Sequence, residues 1–159
     1  MRIVFYCQFR HSLGHFARTR LIAHQALKMG ADCSVLFGGR TPHGVAMDAA
    51  VKVLDLPDWD GEVSFSPSSD SARILARRKL EIRQILAELN PDRVLVDYLP
   101  LGLGGELMDA LLDEQTTTRF VWGVPYPGRE KKAPRNPRVR RALQRYSQAL
   151  IYTSPNWLD

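Results

Sequence analysis

Six short apolar runs with little internal polar alternation restrict this chain to few architectures: RIVFYC (2–7), DCSVLFG (32–38), VKVLDL (51–56), DRVLVDY (92–98), RFVWGV (119–124) and ALIYT (149–153). Runs of this length, rich in β-branched residues, are strands buried on both faces, the condition of a parallel sheet covered by helices. Helical patterns fall between them, at 16–29, 71–89, 105–114 and 137–147. In the second, Leu75, Ile82, Leu86 and Leu89 recur at spacings that keep them on one face. The alternation predicts an α/β fold, a doubly wound, Rossmann-like parallel sheet of about five to six strands. Punctuation agrees: Gly30 closes the first helix, Asn90-Pro91 ends the long one, and Asp70 or Ser71 caps its start.

At 159 residues the chain suits one domain spanning 1–159 with a core of its own. With 45% apolar and 25% charged residues it has the composition of a soluble globule, which argues against disorder and disulfide scaffolds. Cys7 and Cys33 lie in apolar runs, not in a C-x-x-C or Cys/His cluster, so they read as buried thiols in a reducing cytoplasm, with no metal site expected. There is no apolar run of membrane-spanning length and no signal-peptide profile, which predicts a cytoplasmic protein. The net charge of +5 is uneven: residues 128–145, GREKKAPRNPRVRRALQR, hold eight Lys/Arg against one acid. That block reads either as a surface for phosphates or an anionic membrane, or as a solvated helix face.

In open parallel sheets ligands bind beyond the carboxyl ends of the strands, so the residues following each strand are the ones to inspect. After the first strand, Gly14 permits a tight turn and His15 stands at a helix start. Amides there favour an anion and disfavour an added positive charge, which suits a neutral general base; alternatively, His15 merely caps the helix. Only Gly14 is present where a dinucleotide fingerprint needs three glycines, so nicotinamide cofactors are a poor fit. After the fourth strand, Asp97 leads into Gly102, Gly104 and Gly105. Dense glycines at a strand-to-helix turn let amides approach a ligand oxygen, or they simply serve the sheet geometry. Asp97 reads as a hydrogen-bond acceptor or base for a hydroxyl, or as a loop cap. Gly38 and Gly39 follow the second strand, with Arg40 and His43 near the same crevice. Arg18 and Arg20 sit one turn into the first helix, as ligands for phosphate or carboxylate or as a solvated face.

The segments FYCQFRHSLGHFARTRLIAHQAL, LFGGRTP, VLDLP and NPDRVLVDYLPLGLGGEL together resemble the N-terminal domain of GT-B glycosyltransferases. They are most similar to the group related to the enzyme that adds N-acetylglucosamine to the lipid-linked muramoyl-pentapeptide of peptidoglycan. The most specific pieces are the Gly14-His15 turn and the block P-D-x-x-x-x-D-x-x-P-x-G at 91–102. The resemblance implies an acceptor-binding half of a glycosyltransferase, with the donor bound chiefly by a C-terminal domain that this chain lacks and that would be supplied in cis or in trans. It implies His15 as the base that deprotonates the acceptor hydroxyl, the Gly14 loop near the donor diphosphate, and the turn at Gly102, Gly104 and Gly105 on the acceptor side. Arg18, Gly38, Gly39 and Asp97 complete the expected substrate-binding set. No cofactor is implied, a UDP-linked sugar being the co-substrate. The acceptor would be a sugar or lipid-linked sugar, and the basic segment 128–145 would face the inner leaflet of a membrane.

The loop HSLGH departs from the glycine-rich run of the peptidoglycan enzyme, which leaves phosphate contact there open. Alone, the chain should be catalytically incomplete and prone to self-association through surface that a second domain normally covers. A second class of function is a non-catalytic module binding a phosphorylated metabolite or a partner protein in the same crevice. A phospho-acceptor receiver domain wants acids after the first strand, where Cys7 and Gln8 stand, and nucleic-acid binding lacks a reading element.

Overall fold

The computed structural model describes residues 1–8, 13–39, 46–58, 69–124 and 134–152. Its elements run β1 (Arg2–Cys7), α1 (Leu13–Lys28), β2 (Asp32–Phe37), β3 (Lys52–Asp55), α2 (Ser69–Leu89), β4 (Arg93–Asp97), α3 (Met108–Leu111), β5 (Arg119–Val124), α4 (Pro137–Leu143) and β6 (Tyr146–Ile151). The six strands form one all-parallel sheet in the order β3-β2-β1-β4-β5-β6. This is the doubly wound, Rossmann-like α/β fold expected from the apolar runs.

Period-two alternation along each strand divides the core into two faces. On one, Ile3, Phe5 and Cys7 of β1 and Leu95 of β4 pack with Phe16 and Ala23 of α1. On the other, Val4, Tyr6, Val94 and Val96 pack with Ile82 of α2 and with Leu107 and Leu111 around α3. Phe16 is fully buried and meets Phe37 edge-on at 5.7 Å between centroids. Burying a side chain of that size contributes about 1.5–3 kcal/mol.

Both long helices stop where the sequence punctuates them. Gly30 takes φ +80°, and Ala31 N–H returns to the Ala26 carbonyl at 3.0 Å, closing α1 with a left-handed cap. Asn90, at φ 40°, does the same for α2 ahead of Pro91. Three expectations shift. The helix expected at 105–114 shrinks to α3, because Gly104 and Gly105 hold φ +80° and +82°, outside the right-handed helix. The helix expected at 137–147 ends at Leu143, and β6 starts at Tyr146, whose hydroxyl donates to the Pro100 carbonyl and whose ring packs against Phe120 and Trp122. Gly14 lies within the first turn of α1 and makes no left-handed turn.

Strand order reverses between β1 and β4. The chain winds from β1 toward β2 on one side, and β4 begins the other half of the sheet, so the ligand crevice of such a sheet is expected at the carboxyl ends of these two strands.

Candidate functional site

Three side chains meet at that crevice. Asp97 ends β4 and its side chain is only 2% exposed. His15 and Arg18, one turn apart on α1, both reach it: His15 Nδ1 lies 2.6 Å from Oδ2, Arg18 Nε 3.0 Å from Oδ1, and Arg18 Nη2 2.9 Å and 3.0 Å from the two oxygens. Arg18 Nη2 also stands 3.0 Å from His15 Nδ1. A carboxylate only accepts and a guanidinium only donates, so the short His15–Asp97 contact assigns the proton to Nδ1, and the arginine hydrogens go to the carboxylate. In the neutral tautomer that this assignment allows, Nε2 carries the lone pair, and the ring is about one-quarter exposed.

The backbone after β4 is built to present this group. Tyr98 holds φ 65°, a left-handed conformation that costs a non-glycine residue about 1–2 kcal/mol. Its N–H donates to the Gly123 carbonyl at 2.9 Å, and its own carbonyl accepts from Trp122 Nε1 at 2.9 Å. So fixed, its ring tilts against His15 at 5.3 Å between centroids. Beneath lies the Cys7 thiol, which burial and then the Asp97 charge push up to about 12 against a hydrogen bond with Thr19, so Cys7 is an inert thiol here. Tyr152, just past β6, stacks its ring on Arg18, with Cζ 4.7 Å from the ring centroid. Burial, followed by the Asp97 charge, raises its phenol.

Of the residues singled out from sequence that the structure describes, His15, Arg18 and Asp97 are brought together and the others are not. Gly38 and Gly102 serve a second buried cluster on the opposite face of the sheet. There Arg78 Nε donates to Glu106 Oε2 at 2.5 Å and Nη2 to Oε1 at 2.8 Å, Arg78 Nη1 donates to the Pro57 carbonyl, the Tyr6 hydroxyl donates to Glu106, and Gln8 Nε2 reaches that hydroxyl at 3.0 Å. A Cβ on Gly38 would stand 3.2 Å from Arg78 Nη2, and one on Gly102 would stand 2.7 Å from Glu106 Cγ. Gly39 is buried, Gly104 is exposed and Gly105 faces open space. Gly14 is exposed two residues into α1. Arg20 is exposed, and His24 bonds Asp48 at 3.1 Å. Arg40 and His43 lie outside the described residues.

Sequence reasoning missed Tyr98, Tyr152, Arg78 and Glu106. The first two each follow a strand end, so the rule that led to Asp97 also points at them. Arg78 falls between Leu75 and Ile82 on the apolar face of α2, and a charged residue on such a stripe signals a buried partner.

Among the described residues no group of three or more His, Cys, Asp or Glu is placed to hold a metal, and no helix is long and apolar enough to cross a membrane. The described part of the basic segment, 134–145, is partly neutralised: Arg138 pairs with Asp109 at 2.8 Å, Arg141 pairs with Glu114, and Arg135 and Arg140 remain exposed.

No protein-family model matches the sequence, and no curated protein matches it significantly. Solved structures do resemble the fold. A UGT transferase from Siraitia grosvenorii, in complex with UDP, superposes with a TM-score of 0.50 at 12% identity, over 78% of this chain and 28% of that one. UGT2 of Phytolacca americana, complexed with UDP-2fluoro-glucose and pterostilbene, gives 0.54 at 15% identity over 77% and 30%. Its apo form gives 0.51 at 14% identity, over 77% and 29%. What they share with this chain is a Rossmann-like α/β unit. At such identities the likeness is one of fold, and the chain spans less than a third of the length of these transferases.

Proposed function

We propose that the chain is the acceptor-binding half of a glycosyltransferase that moves a sugar from a nucleotide-sugar to a hydroxyl acceptor, and that His15 is its general base. The observation that carries this reading is the His15–Asp97 contact of 2.6 Å at the β1–β4 crevice. It supports an imidazole anchored through Nδ1–H, the tautomer whose Nε2 can accept a proton, on the GT-B-like fold of sugar transferases. In the proposed reaction the acceptor hydroxyl gives its proton to Nε2 as its oxygen bonds to the anomeric carbon. The bond from that carbon to the diphosphate oxygen breaks on the opposite face, inverting the configuration. Asp97 stabilises the imidazolium that forms, and positioned proton transfer of this kind is worth about 10²–10⁴ in rate.

A donor-binding unit, in cis or in trans, completes the site and supplies the contacts to the departing diphosphate. The sequence resemblance to the peptidoglycan group favours a lipid-linked sugar acceptor. Arg135 and Arg140, exposed and without ion-pair partners among the described residues, are then positions of the basic segment open to an anionic membrane surface or lipid phosphate.

The test is product analysis. The complete gene product, purified from its native host, is incubated with UDP-sugars and hydroxyl acceptors, and UDP release and the anomeric coupling constant of the product are read by NMR. Inverted product, lost in Asp97→Asn, supports the reading. Binding of phosphorylated ligands with no transfer from any UDP-sugar refutes it and leaves a non-catalytic module.

A further inference from the structure

Arg18 reads from sequence as a ligand for phosphate or carboxylate, yet its Nε and Nη2 are both turned onto Asp97. Its guanidinium is held from the other side by the Tyr152 ring. Tyr152 is itself fixed: its N–H donates to the Val124 carbonyl at 2.9 Å, and its phenol fills the space beside Gly123, where any Cβ would collide with it. A continuous line of contact therefore runs from the end of β6 through Tyr152, Arg18 and Asp97 to His15.

The charge balance gives this line a purpose. A carboxylate 2% exposed needs a compensating cation. Among the described residues two adjoin it: Arg18, which is permanently charged, and His15, which becomes a cation only by taking a proton. A buried carboxylate with no other partner draws that proton onto the imidazole, and an imidazolium has no lone pair left to accept a hydroxyl proton. Among the described residues the groups facing the pair are Arg18 on α1, Cys7 on β1, Tyr98 after β4 and Tyr152 after β6. The Cys7 thiol and Tyr152 phenol are both kept protonated by burial.

We infer that Arg18 is a positioning residue that occupies Asp97 as its counter-ion and so keeps His15 in the neutral Nδ1–H form, and that Tyr152 holds Arg18 there. The base is thereby tied to the chain's exit from the sheet. The use made of that base rests on the proposed transferase reading, whereas the control of its protonation does not.

The test uses the ¹⁵N-labelled chain and two-bond ¹H–¹⁵N spectra, which separate the Nδ1–H tautomer from the imidazolium through a pH titration. Neutral His15 in the wild type is expected as the Nδ1–H tautomer. At a pH within the wild-type transition, Arg18→Gln should raise the ratio of protonated to neutral His15 by about tenfold. Arg18→Lys, which returns a cation without the fork, should bring the ratio back most of the way. Tyr152→Leu should displace it in the same direction by less, and because it removes no charge it carries the test if Arg18→Gln loses its native amide dispersion. A transition at one pH in wild type, Arg18→Gln and Tyr152→Leu overturns the inference while leaving the transferase reading intact. The expected displacements in a gene product that transfers no sugar sustain the inference and remove the transferase reading.

Discussion

Replacing Glu106 by leucine should be among the most damaging changes this chain can suffer, although Glu106 touches none of the three residues at the crevice. Its carboxylate and the Arg78 guanidinium are both 0% exposed, joined by contacts of 2.5 Å and 2.8 Å, with the Tyr6 hydroxyl donating to the same carboxylate. Removing the acid takes the carboxylate away from a guanidinium and a phenol that both donate to it in a place water does not reach. Breaking one side of such a pair costs about 3–5 kcal/mol. Domains of this kind hold roughly 5–15 kcal/mol in total. At roughly 2–4 °C of Tm per kcal/mol for a chain of this size, the melting point should fall by about 6–20 °C. The partner experiment is the double change Arg78→Met with Glu106→Leu, which removes both charges and should cost much less than the sum of the single changes, a coupling of about 2 kcal/mol or more. Urea unfolding followed by circular dichroism, with m-values compared, measures all four proteins. A loss below about 1 kcal/mol for Glu106→Leu, or costs that simply add, would show that the pair is not the anchor the geometry describes.

Glycine substitutions should separate two turn positions that look alike in sequence. Gly102→Ala meets both a φ of +77° and a 2.7 Å clash with Glu106 Cγ, whereas Gly105→Ala meets only a φ of +82° with open space around it, so chemical denaturation should find Gly105→Ala limited to about 1–2 kcal/mol and Gly102→Ala clearly worse. The Cys7 thiol titrates from 9.0 when free to about 12 in the fold, so the unfolded chain releases its proton first. Between about pH 9 and 12 the native state then binds more protons, and stability should fall as pH rises by up to about 1.4 kcal/mol per unit. Cys7→Ala should flatten that decline in urea midpoints measured from pH 8 upward. In the native state Cys7 should also resist a thiol reagent at pH 8 and react once urea is added.

The sheet could be read from the sequence because its physics is local. An apolar β-branched run buried on both faces has few other ways to exist, and Gly30 and Asn90 ended their helices where expected. What was illegible depends on distant partners. The run at 105–114 has helical spacing, but two left-handed glycines confine α3 to Met108–Leu111. Tyr146 reads as helical until Phe120, Trp122 and the Pro100 carbonyl become its neighbours. At the site, His15 and Asp97 each stood out by following a strand, yet nothing in the spacing of residues 82 positions apart says that they touch. Gly38 and Gly102 read as ligand-binding turns because the residues that require their bareness, Arg78 and Glu106, are themselves hidden on an apolar stripe and among glycines.

The central claim is that His15 takes the acceptor proton, and turnover of the complete gene product with His15→Ala tests it most directly. At saturating UDP-sugar and acceptor, kcat should fall by about 10²-fold or more while the KM for the UDP-sugar stays within a few-fold, since the imidazole acts on the hydroxyl and not on the donor. A kcat unchanged by the substitution would contradict the account and return His15 to the role of a helix-end residue anchored by Asp97.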